Sequence, residues 1–485
     1  MKKIRLNSFF TLLLGTAIVV SCSTLETDLY VDNLEAPNDD ILASDPVALE
    51  ASAQGLFQSF YGTTNDYYGP ALALSVMSDV NSCSWGNAGM RDLSEEPRIP
   101  FNNTSGYGNN VTRTYFNSLY STLSDANTII FASNNGVKFS NNVALVSVAK
   151  FSQALAIGYN ALVFDRVWLS DENGPVNEGV PVDHKVAMDF ALTKLDEAIA
   201  LAKTSSFTLP SNYFSVEMSS SKLVELMNTI GARMLSMNPR TKADKASINW
   251  NKVKSYALNG VKTDFDIVAD NINWSDLFGY YATVPSWGRI DNRVLNLMDN
   301  NHPKKWTSAT VTGYPKITTA DKRIETDFAY LSSQNFRPER GIYHYSNYRY
   351  ARFNGYISTF TGPTPEVSVS ENHLYLAEAE LMLGNTAAAA AIINSGTRTT
   401  RGNLPNVSAT ASEIDHAIHY ERMIEIPFNS MGLTFWDMRG RDLLQSGTLL
   451  HFPIPGAALE SIPEPYYTYG ATEGAAGKDV SGGGW

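Results

Sequence analysis

LYLAEAELMLGNTAAAAAII, residues 374–393, is the stretch whose reading decides the fold. Tyr375, Leu376, Ala379, Leu381, Met382 and Leu383 recur at spacings of three and four, the stripe of a packed helix. Gly384 closes that stripe, because glycine enters the left-handed conformation that ends a helix without a steric penalty. Asn385 and Thr386 then lead into Ala387, Ala388, Ala389, Ala390 and Ala391, followed by Ile392 and Ile393. Alanine lets two backbones approach closely, so the stretch predicts a tight antiparallel helical hairpin.

Working outward, segments 110–135 with 144–166, and 187–203 with 220–236, carry similar paired stripes. Tyr115, Phe116, Leu119, Leu123, Ala126, Ile129 and Ile130 mark the first of these helices. Val148, Phe151, Leu155, Tyr159 and Leu162 mark the second. Helical hairpins repeating at about 34 residues are the pattern of tetratricopeptide-like arrays. Between 264 and 365 the stripe stops. Trp274, Tyr280, Tyr281, Trp287, Trp306, Tyr314, Tyr343, Tyr345, Tyr348 and Tyr350 stand there among Asn, Asp, Ser, Gly and Pro, with repeated turn signals. The predicted fold class is mostly α: a tetratricopeptide-like helical hairpin scaffold over about 46–263 and 366–460, with a loop-rich insertion containing short strands over about 264–365. Residues 46–485 are expected to form one domain.

The opening residues point to export. Lys2, Lys3 and Arg5 precede an apolar run over 9–20, then Ser21 and Cys22. That is the layout of a secretory signal, too short to span a bilayer. With Val19, Val20 and Ser21 before Cys22, it resembles the lipobox of a bacterial lipoprotein. On that resemblance 1–21 is a signal peptide, Cys22 carries the lipid, and 22–45, with Pro37, Asn38, Asp39 and Asp40, is a tether. Cys83, the other of the two cysteines, then has no disulfide partner and reads as a buried thiol.

The chain carries a net charge of −12. Loss of Lys2, Lys3 and Arg5 with the signal leaves −15 (−12 − 3). An acidic surface lacks the Lys and Arg excess that nucleic-acid binding needs, and it would be repelled by anionic lipid, so the anchor must be the acyl chains. There are 24 Tyr and 8 Trp. Such rings, apolar on the face and polar at the tip, suit a surface that grips a ligand while staying wet.

Several motifs, taken in order, resemble those of the SusD/RagB family of Bacteroidetes surface lipoproteins. They are the 374–384 helix with its Ala-Glu-Ala core, and Asn394 with Arg398 and Arg401. They continue with the Glu-Arg-x-x-Glu of Glu421, Arg422 and Glu425, then Phe435, Trp436, Asp437, Met438 and Arg439. Pro453, Ile454 and Pro455 follow, with a closing Gly484 and Trp485. Asp321 with Arg323, and Tyr120 with Asn127, fit weaker family positions. Asn429, Ser430, Met431, Gly432 and Leu433 replace the family's usual Glu-Gly-x-Arg, a departure that weakens the transfer of ligand contacts. The resemblance implies a SusD-like fold on the outer face of the outer membrane. It also implies binding of a nutrient, an oligo- or polysaccharide first, and a SusC-like TonB-dependent transporter as partner. Peptide cargo in the same family, or an extracellular polysaccharide hydrolase, are the alternatives.

Sugars present flat C–H faces ringed by hydroxyls, so their sites combine aromatic platforms with Asn, Asp or Arg. Two loops offer that mixture. One holds Trp85 with Asp66, Asp79, Asn81 and Arg91, and the other holds Tyr280, Tyr281 and Trp287 with Arg289, Asp291 and Asn292. Each aromatic could equally pin a loop or fill a core. Glu421, Arg422, Glu425, Asp437 and Arg439 read as a structural set in which Arg locks carboxylates bidentately. A catalytic use of Glu421 and Glu425 fits poorly, because Arg422 keeps both ionised. No phosphate-binding loop and no nucleophile elbow is present. His416 and His419 read as a helix-surface pair without a third metal ligand. No cofactor is expected, and a calcium ion held by Asp residues of the insertion is compatible with the composition but unplaced.

Overall fold

The computed structural model describes residues 44–82, 90–94, 96–99, 101–104, 106–305, 315–332, 345–469 and 479–484. The signal and nearly all the tether, with Cys22, lie outside the described residues, as do Cys83, Trp85, Trp306, Tyr314, Tyr343 and Trp485.

From Pro46 the scaffold begins with α1 (Pro46–Thr64), α2 (Pro70–Met77) and the two-residue strand β1 (Asn81–Ser82). It continues through α3 (Gly106–Asn134), α4 (Asn142–Val163), α5 (His184–Ala202), α6 (Ser220–Met237) and α7 (Trp250–Leu258). Side chains cap these helices where their sequences start. Asn141 accepts from the Ala144 amide, Asp183 from Lys185, Ser219 from Lys222 and Asn249 from Lys252. Each long helix packs on its predecessor, and α4 sits innermost, against α1, α3, α5 and α6. Every residue of α4 from Ala144 to Val163 is buried except Lys150, as expected of a helix that is apolar on all sides. Each buried Leu, Ile or Phe there contributes about 1.5–3 kcal/mol.

The insertion runs through β2 (Phe265–Ala269), α8 (Leu277–Thr283), β3 (Arg289–Ile290), α9 (Asn292–Met298), β4 (Phe328–Tyr330), β5 (Tyr348–Tyr350), α10 (Asn354–Thr359) and β6 (Gly362–Val367). Its two ends pair with each other: β2 and β6 are antiparallel, from Gly362 opposite Ala269 to Val367 opposite Phe265. The excursion is therefore pinched at a two-stranded neck. Its helices are short, at four to seven residues, which is why no stripe marks them in the sequence.

The scaffold resumes with α11 (Val369–Met382), α12 (Thr386–Ser395), α13 (Ala411–Ile424) and α14 (Leu433–Arg439). The 374–393 hairpin is α11 and α12, with Gly384 at φ +81° between them. The array is thus continuous across the insertion, since α7 packs on α11. Arg233 on α6 seals that junction. Its guanidinium takes Glu371 at 2.7 and 2.9 Å and the Tyr159 hydroxyl at 2.7 Å. Among the described residues no helix is long and apolar enough to cross a membrane.

Candidate functional site

The two loops singled out in the sequence meet. β1 pairs with β3, placing Asn81 opposite Ile290 and Ser82 opposite Arg289. Asn81 staples this ribbon: its Nδ2 donates to the Ala282 carbonyl at 3.2 Å and its Oδ1 accepts from the Arg289 amide at 3.1 Å. Several residues expected at the ligand surface are therefore interior. Asp79, Asn81, Tyr281 and Arg289 are all buried. Asp79 pairs with Arg98 at 2.9 Å and Arg293 at 3.3 Å and accepts from Gln445. Arg289 donates to the Gly288 carbonyl at 2.7 Å. Asp291 caps α9 through the Arg293 amide, and Asn292 bonds His302 at 2.9 Å. A ribbon inside the fold needs its polar groups paired, and these side chains pair many of them. Arg91 is half-buried beside Asp92 at 3.1 Å. Asp66 accepts from the Tyr68 amide at 3.1 Å, forming the turn that presents Tyr68.

What the ribbon brings together is a row of rings. Tyr67 lies 4.2 Å from Tyr68 and stacks on Tyr281 at 5.3 Å with a 13° interplanar angle. Tyr281 meets Trp287 at 4.7 Å, and Trp287 meets Tyr280 edge-on at 5.6 Å. Tyr280 in turn lies 4.5 Å from Phe360. Tyr281 is the buried keel, whereas Tyr67, Tyr280, Trp287 and Phe360 are half-buried and Tyr68 is 44% exposed. Burial, and then the Tyr68 hydroxyl, push the Tyr67 phenol up to about 12, so it stays a neutral donor. Gly288 allows the tight return after Trp287, because a Cβ there would lie 2.0 Å from the Ala282 carbonyl oxygen. Phe360 sits at φ +58°, a conformation that costs a bulky residue about 1–3 kcal/mol. Such strain marks a position held for a purpose, and here it turns the ring onto Tyr280.

α8, which carries Tyr280 and Tyr281, is fastened from beneath. The Asp276 carboxylate caps it through the Gly279 amide at 2.6 Å, and the Asp276 amide donates to the Tyr356 hydroxyl at 2.7 Å. Burial pushes the Asp276 carboxyl up to about 7, although the Gly279 bond opposes this. A folded value above the ordinary value of 3.8 means the group favours folding below that ordinary value. That contribution is lost as pH rises through about 7. Asp276→Asn keeps the cap acceptor and removes the titration. Its melting temperature is expected to overtake that of the parent protein by roughly 2 °C or more as pH rises from about 5 to about 8. Parallel melting curves across that range would contradict this assignment.

The charged motifs of the last helices are structural and buried. Arg323 binds Glu421 bidentately at 2.7 and 2.9 Å, Asp321 at 2.8 Å and Glu425 at 3.0 Å. Glu425 also takes Arg401 at 2.6 Å and Arg352 at 3.1 Å. Both members of the Glu421 and Glu425 pair are thereby committed to arginines. Arg422 joins Glu378 at 2.7 Å to Asp437 at 2.5 Å. Burial disfavours the Glu378 carboxylate, but Arg422, Lys245 and Arg441 together hold it down at about 2. Two expectations change. Arg439 takes no carboxylate among the described residues and instead donates to the carbonyls of Leu162, Met237 and Leu450 at 2.7–3.1 Å, tying three backbone segments together. His419 is not on the helix surface: it is buried and bonds Asp437 at 2.7 Å. In place of the family's Glu-Gly-x-Arg, Ser430 bonds Glu366 at 3.1 Å and Asn429 bonds Ser368 at 2.8 Å. Among the described residues no group of three or more His, Cys, Asp or Glu side chains is placed to hold a metal.

The sequence positions that reasoning from types alone passed over are Tyr67, Tyr68 and Phe360. The first two follow Asp66, in the same stretch of sequence as Trp85. Phe360 gave no signal, because nothing in its neighbours encodes a left-handed turn.

No family model and no curated protein matches the chain. Solved structures do. A SusD superfamily protein from Bacteroides vulgatus ATCC 8482 superposes with a TM-score of 0.61 at 14% identity, covering 87% of this chain and 98% of that one. A SusD-like protein from Bacteroides fragilis NCTC 9343 gives 0.59 at 13% identity, over 83% and 87%. A SusD-like carbohydrate binding protein from Bacteroides vulgatus gives 0.55 at 14% identity, over 82% and 83%. The chain thus has the SusD-like fold.

Proposed function

We propose that this chain is a cell-surface nutrient-binding protein that holds an oligo- or polysaccharide and delivers it to a SusC-like TonB-dependent transporter. The observation that carries the reading is the row of partly exposed rings from Tyr68 to Phe360. Flat apolar faces in series, each with a polar edge, match the alternation of C–H faces and hydroxyls along a sugar chain. The fold supports the same reading, since one solved structure that shares it is titled a carbohydrate binding protein. On this reading Cys22 carries the lipid anchor at the outer face of the outer membrane, and Trp85 adds to the platform. Glu421 and Glu425, each bound to Arg323, hold the fold together and do no hydrolysis.

The test is a calorimetric and array screen of the chain from Cys22 onward, against glycans and against basic and neutral peptides. Saturable glycan binding without turnover is the expected result. Binding of peptides with no glycan bound, or release of shorter sugars from a bound glycan, would overturn it.

A further inference from the structure

Beyond Phe360 the aromatic row reaches a cleft that the sequence did not flag. Phe360 lies 6.3 Å from Tyr356, and both Tyr356 and Thr361, the residue after Phe360, line a cavity of about 500 Å³. That volume falls within the range of small-ligand sites, about 300–1,000 Å³. The cavity opens at the insertion's neck, between β6, α10 and the chain that follows α13. Its polar wall is Asp264, Asp266, Arg352 and Asn429, and Pro363 and Phe353 supply apolar surface.

Three of those polar groups have bonding capacity left over. Asp266 is half-buried and its carboxylate accepts no hydrogen bond from the described residues; burial and the adjacent Asp264 both work against its charge. Asn429 is 5% exposed, and its Nδ2 is spent on Ser368 while its Oδ1 accepts from no described residue. Arg352 uses Nη1 on Glu425 and Tyr350, and its Nε and Nη2 donate to no described residue. An amide oxygen that faces a cavity without a protein donor is open to a donor brought by a ligand. Two free acceptors and a free guanidinium edge suit a partner that both donates and accepts, which is what adjacent sugar hydroxyls do. An ammonium group would satisfy the acceptors but meet Arg352, and a carboxylate or sulfate would meet Asp264 and Asp266.

We infer that this cleft is a second subsite, which takes an uncharged sugar unit of the chain lying along the aromatic row and rejects acidic sugars. The inference rests on the saccharide reading above, and it adds where the chain ends and which sugars are refused.

Gly355 stands at the cleft with nothing within 4 Å of a Cβ built on it, so Gly355→Trp plugs the space without disturbing the fold. Asp266→Ala removes one free acceptor. Maltohexaose, xylohexaose, mannohexaose and hexagalacturonic acid are titrated into the chain from Cys22 onward and into both variants, with Trp287→Ala alongside and melting temperatures as the check on folding. A neutral hexasaccharide is expected to bind at least about tenfold more tightly than the acidic one. Both cleft variants should weaken it by about tenfold or more, the loss expected for one charged hydrogen bond, and Asp266→Ala should narrow the neutral-to-acidic gap. If Trp287→Ala weakens binding while Gly355→Trp and Asp266→Ala leave it unchanged, the subsite is overturned and the saccharide reading stands. Equal affinity for the acidic hexamer overturns the subsite as well. If the parent protein binds no saccharide, both readings fall.

Discussion

Arg323→Met is expected to lower stability by about 3–5 kcal/mol, enough to leave little folded protein. The substitution keeps most of the volume and removes only the charge and the donors. Asp321, Glu421 and Glu425 would then face one another without the Arg323 guanidinium that donates to all three, and with no water to replace it, since all three are buried. Arg323 gives them five of its hydrogen bonds at 3.0 Å or less. Breaking a buried pair from one side costs far more than deleting the whole pair, because it strands charge in a poor dielectric. Arg323→Met combined with Asp321→Asn and Glu421→Gln should therefore recover part of the loss. Glu425 keeps Arg401 and Arg352 in that variant. Denaturant midpoints of the single and triple variants measure this. A single variant as stable as the parent protein would show that the network contributes nothing net. A triple variant less stable than the single would show that stranded charge is not the cause.

Trp287→Ala should weaken binding of any glycan found in the screen by about 2 kcal/mol or more, roughly thirtyfold. Trp287 sits at the centre of the row, between Tyr281 at 4.7 Å and Tyr280 at 5.6 Å. Central aromatics flanked by other rings are where truncation costs most. Tyr68→Ala, at the exposed end, should weaken the same ligand by a smaller factor and lower the melting temperature less than Trp287→Ala does, because Tyr68 is 44% exposed. Asn81→Ala makes the contrast: it removes two bonds of the β1–β3 ribbon and should lower the melting temperature whether or not ligand is present. Loss of affinity on Asn81→Ala with none on Trp287→Ala would place the site elsewhere.

The scaffold was legible because its signals are local. Gly384 with the alanines that follow it announces the α11–α12 hairpin, and the all-round apolar run of α4 announces an interior helix. The insertion was legible only as an interruption, since α8 and α9 are two turns long and too short to show a stripe. Tyr280 and Trp287 could be named as candidates from type and setting. Asp79, Asn81 and Arg289 could not be told from surface residues, because the pairing that buries them joins Asn81 to Arg289, 208 positions away. Asp266, Arg352 and Asn429 come from three separate elements, and nothing near any one of them points to the others. Glu421 and Glu425 lie in a buried ion-pair network whose central cation is Arg323, 98 positions before Glu421, a separation that no local pattern reveals. Arg439 looked like the same kind of residue as Arg422, and only its position beside three carbonyls separates them.

The neck formed by β2 and β6 has a consequence for how such a protein can diversify. The span it encloses leaves and re-enters the scaffold at adjacent strands, about 5 Å apart, so its length and content can change while α7 and α11 keep their contact, provided Arg323 and Arg352 stay to pair Glu421 and Glu425. A graft of that span onto another SusD-like scaffold would carry Tyr280, Tyr281, Trp287 and Phe360 with it. Tyr67 and Tyr68 would stay behind with α1 and α2. The aromatic row is thus split between a replaceable cassette and its permanent frame, and swapping the cassette would show which half sets the preference for any glycan bound.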